Sequence, residues 1–297
     1  MEVLCMAMSI NTIERLKRKS KASNKREFIE MQLRFPERLT IVSEGDSWFA
    51  YPPKWLFAGK PSNLISYLSR YTKKQANFYT MAANGDEAVD MVSGKQKHQL
   101  VDLFKWHTKR KHRKPVDLLL FSGGGNDIVG DNDFERFLHN DGSSYITAEQ
   151  CVNLPRLDRK VRQIGLAYQE LCDIRDHYSP TTIVLTHTYD YPYPSLVGGS
   201  FLGGLINTKA WMKRFMDKVN IAESLQADVI KLFIDKIANE LLAVQASRDN
   251  FIVVDSRGTL QGKKAWLNEI HPTSSGFEII ARKIFKKIQT EFPSLQD

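Results

Sequence analysis

The stretch Leu39-Thr40-Ile41-Val42-Ser43-Glu44-Gly45-Asp46-Ser47-Trp48 divides into halves of opposite character. The first half is rich in β-branched and apolar residues, as in a buried strand. The second is polar and contains glycine, as in a turn. The same alternation returns at Asn77–Met81, Val116–Phe121, Thr181–Thr186 and Phe251–Asp255. The run Val116-Asp117-Leu118-Leu119-Leu120-Phe121 is nearly continuous in apolar residues, which suits a strand covered on both faces of a parallel sheet.

Helical periods lie between these runs. Val161, Ile164, Tyr168, Leu171 and Cys172 form one stripe, Leu225, Val229, Leu232, Ile237 and Leu241 a second. Phe277, Ile280, Ala281, Ile284, Phe285 and Ile288 form the clearest, with Ser275 and Glu278 spaced as a capping box at its start. Strand and helix in alternation predict a three-layer α/β/α sandwich around a five-stranded parallel sheet. We read residues 39–297 as this domain and residues 1–38 as a basic N-terminal helical arm or helix pair. Arg15, Lys17, Arg18, Lys19, Lys21, Lys25 and Arg26 follow one another there without an intervening acid, the pattern of a solvated helix face.

With 297 residues, 42% hydrophobic and 26% charged, the chain can bury a full core and is not disordered. Its formal net charge of +8 favours anionic partners and says nothing of fold. Cys5, Cys151 and Cys172 make no CxxC, so neither a disulfide framework nor a cysteine zinc site is expected. Cys172 falls on an apolar helical stripe and reads as an inert packed thiol. No apolar run approaches bilayer-spanning length. The opening MEVLCMAMSI lacks the basic start and long apolar core of a secretory signal, so a cytoplasmic protein is expected.

In a parallel sheet of this kind ligands bind beyond the carboxyl ends of the strands. The first strand runs into Gly45-Asp46-Ser47, the second into Asn84-Gly85-Asp86, and the third into Gly123-Gly124-Gly125-Asn126-Asp127. Asn268-Glu269-Ile270-His271-Pro272-Thr273 follows the fifth strand and precedes the last helix. Acyl transfer needs such parts. A serine hydroxyl becomes nucleophilic when an imidazole takes its proton, and N–H donors must meet the oxyanion that forms. Ser47 and His271 are the candidate nucleophile and base. Gly85, Asn126 and the Ser47 N–H are the candidate oxyanion donors.

In these elements the chain resembles the SGNH, or GDSL-type, hydrolases. The resemblance runs from Leu39 to Ile288 and rests on Gly-Asp-Ser after the first strand, glycine after the second, Gly-x-Asn-Asp after the third and His-Pro-Thr before the last helix. It implies a flavodoxin-like α/β/α sandwich and hydrolysis of carboxylic esters or thioesters without cofactor or metal. It also carries the family's four roles to Ser47, Gly85, Asn126 and His271. The family's usual aspartate three residues before the histidine is here Asn268. Asn268 and Glu269 are equal candidates to orient His271, Asp255 is a third, and a Ser–His dyad is the remaining possibility.

Other readings compete. Gly123–Gly125 misses the dinucleotide-binding spacing because Ile128 stands where the last glycine belongs. Asp127, Asp131 and Asp133 fail the calcium-loop pattern and read as a solvated loop. No dinuclear metal ligand set is visible, which ranks a phosphodiesterase low. His187, just after the fourth strand, reads as a structural hydrogen-bonding group. Tyr189–Pro194 and the glycine-rich Ser195–Ile206 are a candidate pocket wall or lid. Lys105–Lys114 holds six basic residues in ten. With the N-terminal arm it supplies the rival reading, a non-catalytic protein that binds an anionic membrane or nucleic acid.

Overall fold

The computed structural model describes residues 10–51, 62–108, 114–130, 133–198, 200–201, 206–207 and 209–295. The chain opens with helices α1 (Ile10–Lys17) and α2 (Lys25–Arg34), then strand β1 (Leu39–Gly45) and a single helical turn, α3 (Ser47–Ala50). Next come α4 (Leu64–Tyr71), β2 (Ala76–Thr80), α5 (Ala88–Met91), α6 (Gly94–Thr108) and β3 (Leu118–Ser122). The short α7 (Asn126–Val129), α8 (Asp133–Arg136) and α9 (Ala148–Cys151) lead to the long α10 (Leu154–Tyr178) and β4 (Ile183–His187). A small antiparallel pair, β5 (Ser200–Phe201) and β6 (Ile206–Asn207), precedes α11 (Lys213–Lys218) and α12 (Glu223–Ser247). The chain ends with β7 (Phe251–Val254) and α13 (Ser274–Glu291).

The main sheet has the order β2-β1-β3-β4-β7 and is parallel throughout. Successive strand residues point to opposite faces, so each strand feeds two cores. Ile41, Leu118, Leu120, Leu185 and Val254 pack with Leu68 of α4 and Phe277, Ile280 and Ile284 of α13. Val42, Leu119, Phe121, Val184 and Phe251 pack with Phe104 of α6, Leu171 of α10 and Val229 of α12. The three layers and five parallel strands expected from the sequence are present. The expected strand runs fall within two residues of the observed ones.

Residues 10–38 share this core. Leu16, Phe28 and Met31 are buried in it, and the backbone of 20–22 pairs with the edge strand β2 through Ala22 N to Phe78 O (2.8 Å) and Phe78 N to Ser20 O (2.7 Å). The exposed edge of β2 is thereby covered. The cap of α13 differs from the expected Ser275–Glu278 box. Thr273, held extended by its N–H bond to Ala265 O (2.8 Å), starts the helix two residues earlier, and its hydroxyl accepts from Gly276 N (3.2 Å). Glu278 instead reaches Arg282 along the helix (2.7 Å). Cys151 and Cys172 are buried free thiols, and burial pushes Cys172 up to about 11. Cys5 lies outside the described residues. Among the described residues no helix is long and apolar enough to cross a membrane.

The chain passes from β1 outward to β2 and then back across to β3, so the strand order reverses between β1 and β3. The loops leaving those two strands diverge and leave a crevice there. Ser47 follows β1 and Asn126 follows β3.

Candidate active site

At the end of β1 the chain must turn sharply against β3. A side chain at Gly45 would meet the Ser122 carbonyl and the Phe49 ring at 2.9 Å, so glycine is required by close approach. Asp46 N then donates to Ser122 O (3.0 Å), and the Asp46 carboxylate caps the turn of α3 by accepting from Trp48 N (3.0 Å). The same carboxylate accepts from Ser122 Oγ (3.0 Å) and from the Tyr189 hydroxyl. Asp46 is fully enclosed. Burial pushes its carboxyl up to about 6 against the pull of these three donors. Below it, Ser122 Oγ lies 3.1 Å from His187 Nε2, and His187 Nδ1 lies 2.8 Å from the Thr188 carbonyl. The His187 ring stacks on Trp48 with centroids 5.3 Å apart, and burial holds its pKa down to about 4. His187 is therefore a structural ring beneath the turn that carries Ser47.

The segment 265–273 brings His271 to Ser47 from the other side. Trp48 Nε1 donates to Ile270 O (3.1 Å), tying this segment to α3. Asn268 Oδ1 accepts from Ile270 N (3.1 Å) and His271 N (2.8 Å), which fixes which end of the amide is oxygen. His271 Nδ1 is 3.1 Å from that same oxygen and must carry a hydrogen to bond it. Nε2 is then a lone-pair acceptor, 2.8 Å from Ser47 Oγ, and the hydroxyl donates to it. The ring is only 4% exposed, stacked on Tyr51 at 4.0 Å and met edge-on by Trp211 at 6.0 Å. Burial holds the His271 pKa down to about 3. Asn268 Nδ2 is buried without a hydrogen-bond partner among the described residues.

Glu269, the equal candidate in the sequence, faces away from the ring. Its carboxylate accepts from the backbone N–H groups of Trp211 (2.5 Å), Met212 (2.7 Å) and Lys213 (2.6 Å) where α11 begins. Burial raises its pKa, and these backbone donors pull in the opposite direction. It joins the histidine segment to the chain ahead of α11. Asp255 is taken by Arg257 (2.6 Å), whose hydrogen bonds hold its carboxyl down to about 2. Of the three orienting candidates, only Asn268 touches His271.

Asn126 begins α7, and its Nδ2 donates to Asp86 O (3.0 Å). An amide nitrogen carries two hydrogens, so one remains to point elsewhere. Gly85, the residue before Asp86, has φ +90°, a conformation that favours glycine, and a Cβ there would meet nothing within 4 Å. Asp127 is not the solvated loop residue expected. It is completely buried, its carboxylate accepting from Ala88 N (2.7 Å) with Lys160 at 3.9 Å, and burial pushes it up to about 6. The reason is tertiary, since it caps the start of α5 across the crevice. Asp133 pairs with Arg136 (3.1 Å), and Asp131 lies outside the described residues. Among the described residues no group of three or more His, Cys, Asp or Glu side chains is placed to hold a metal ion.

An apolar slot opens beside Ser47 and Asn126 and runs between α7 and α12. Ile128, Val129, Ile230, Phe233, Ile234 and Ile237 form its walls. Tyr189 and Pro192 line it as well, so the Tyr189–Pro194 loop does border the pocket. Tyr51 and Trp211, which pack on the His271 ring, carry no signal in the sequence beyond their aromatic type. Of the Lys105–Lys114 run, residues 109–113 lie outside the described residues. Lys105 sits over the Tyr178 ring (5.0 Å) and Lys114 pairs with Asp117 (3.0 Å). Residues 199 and 202–205 of the candidate lid are likewise outside them.

No family model matches the chain, and no curated protein matches it significantly. Solved structures do match. The extracellular lipase of Streptomyces rimosus is 17% identical, with a TM-score of 0.50 over 84% of this chain and 99% of that one. A lipase from a goat rumen metagenome is 14% identical, with a TM-score of 0.51 over 83% and 95%. The strand order, the layers on both faces of the sheet and this likeness converge: the chain has the SGNH hydrolase fold.

Proposed function

We propose that the protein is a serine esterase that hydrolyses carboxylic esters with an apolar acyl group, through a Ser47–His271–Asn268 triad. His271 Nε2 takes the Ser47 proton as Oγ attacks the ester carbonyl. The Asn126 side-chain amide and the backbone N–H groups of Gly85 and Ser47 receive the oxyanion. As the tetrahedral intermediate collapses, the C–O bond to the alcohol breaks and His271 returns the proton to the leaving oxygen. Water, deprotonated by the same ring, then hydrolyses the acyl-enzyme. Asn268 holds the ring in the tautomer this cycle needs.

The observation that carries the reading is the 2.8 Å approach of Ser47 Oγ to a ring nitrogen that must be the acceptor. A bland turn serine has no reason to meet a buried, neutral imidazole held by a fixed amide. The apolar slot supports an acyl chain over a sugar on the acyl side, since its walls offer few polar partners. The two compared structures are lipases, which agrees with the reading.

The test is covalent labelling by a fluorophosphonate. Wild type labels and Ser47→Ala does not. Equal labelling of the two would overturn the assignment. A series of p-nitrophenyl esters of increasing chain length then reads the slot, and Ile234→Trp moves the preferred acyl chain to a shorter one.

A further inference from the structure

We propose that the lip of the pocket formed by residues 191–198 and 263–267 docks the protein onto an anionic lipid surface and presents the Ser47 crevice to esters held there. Four large apolar side chains stand out from this lip: Tyr193 (48% exposed), Leu196 (63%), Val197 (51%) and Leu267 (53%). Single exposed apolar residues are ordinary, but a cluster of them around a pocket mouth is not. The two segments form one surface. Lys263 Nζ sits 5.6 Å over the Tyr193 ring, and Val197 O accepts from Glu269 N (3.1 Å). Leu267 N donates to His271 O (2.9 Å). Their inner residues, Pro192 and Trp266, line the pocket itself.

The uncompensated charge on this lip is positive: the adjoining Asp190 is buried, Asp235, which accepts from the Tyr191 hydroxyl, pairs with Lys231 and Arg257, and Asp255 pairs with Arg257. Segments 191–198, 209–216 and 256–268 contain no Asp or Glu, while Lys209, Lys263 and Lys264 are exposed. Glu269, the next acid in sequence, is buried against the backbone N–H groups ahead of α11. The opposite lip carries Asp86 and an exposed Asp90, which confines the contact to one side of the crevice. Apolar side chains that insert below the headgroups, flanked by lysines at headgroup level, are what an interfacial anchor requires. A polyanion such as nucleic acid would use the lysines and leave Leu196, Val197 and Leu267 facing water, so a lipid surface fits the whole patch.

The proposal rests on the esterase reading for what is presented at the surface, but its test needs no turnover. Full-length protein is sedimented with vesicles of phosphatidylcholine containing phosphatidylglycerol, and with pure phosphatidylcholine vesicles. Wild type and Ser47→Ala bind the anionic vesicles equally and the neutral ones at least about tenfold more weakly. The pair Leu196→Asp with Val197→Asp, and separately Lys263→Glu with Lys264→Glu, each weaken binding about tenfold or more. Leu166→Asp, on an exposed position of α10, changes nothing. Melting temperatures check that each variant is folded, and the lysine pair decides if the apolar pair is not. Binding unchanged by the lip variants, or equal on both vesicle types, overturns the proposal. So does binding lost only in the lysine pair and displaced by a single-stranded oligonucleotide, which would mark a polyanion site. Failure of fluorophosphonate labelling would remove the esterase reading and leave the vesicle result standing.

Discussion

The serine turn, residues 45–49, and the histidine segment, residues 265–273, meet at one hydrogen bond yet are built in different ways. The serine turn is a continuation of the sheet. β1 pairs with β3 up to Gly45 and Ser122, and Ser122 then supplies both a carbonyl and a hydroxyl to Asp46. The histidine segment has no strand to extend. It is held by Trp48 Nε1, by the Thr273–Ala265 and Leu267–His271 backbone bonds, and by Glu269 reaching the chain before α11. One half of the site is positioned by the sheet, the other by backbone bonds within its own loop and by buried polar side chains, which are costly when left unpaired.

The largest expected effect tests whether the halves act as one unit. His271→Ala lowers kcat by about a millionfold, and adding Ser47→Ala lowers it no further, as steady-state assays on a short ester will read. Independent, multiplying losses would separate the halves. Asn126→Ala removes a donor beside the serine turn and costs about a hundred- to a thousandfold in kcat, with KM little changed. A KM effect alone would make Asn126 a substrate-binding group only.

Breaking the histidine segment has a different signature. Glu269→Ala leaves the N–H groups of Trp211, Met212 and Lys213 without their acceptor, and destabilises the fold by about 3 kcal/mol in denaturant titration while also lowering kcat. Asn126→Ala leaves stability nearly unchanged, so the pair distinguishes positioning through structure from contact with the reacting group. The smallest effect is on pH. His271 works as its neutral form, and burial holds its pKa to about 3 against an ordinary 6.5, so kcat/KM persists as pH falls through the usual imidazole range and is lost only near the lower value. Asn268→Asp places a carboxylate where it stabilises the imidazolium, so the acid limb of the profile moves up in pH. An unmoved limb would mean that residue 268 does not face the titrating ring.

Much of this was legible in the chain. The run from Leu39 to Trp48 announces strand and then turn, and equivalent runs place the other strands to within two residues, because alternation and apolar continuity depend on near neighbours. The glycine, asparagine and histidine after later strands were recognisable for the same reason. Sequence could not choose between Asn268 and Glu269. They are adjacent, both can accept a hydrogen bond, and the choice depends on N–H groups at 211–213, more than fifty residues away in sequence. Nor could it tell that Asp127 is sealed under α5, or that Thr273 takes the cap of α13.

By itself, then, the sequence determined the layered parallel sheet and the residue types delivered to its carboxyl edge. Tertiary structure alone decided which buried acceptor faces the imidazole, which carboxylates serve as braces, and that the first helices join the core. The reason is physical: periodicity is a property of neighbours along the chain, whereas the partner of a buried polar atom is whatever distant group packing brings to it.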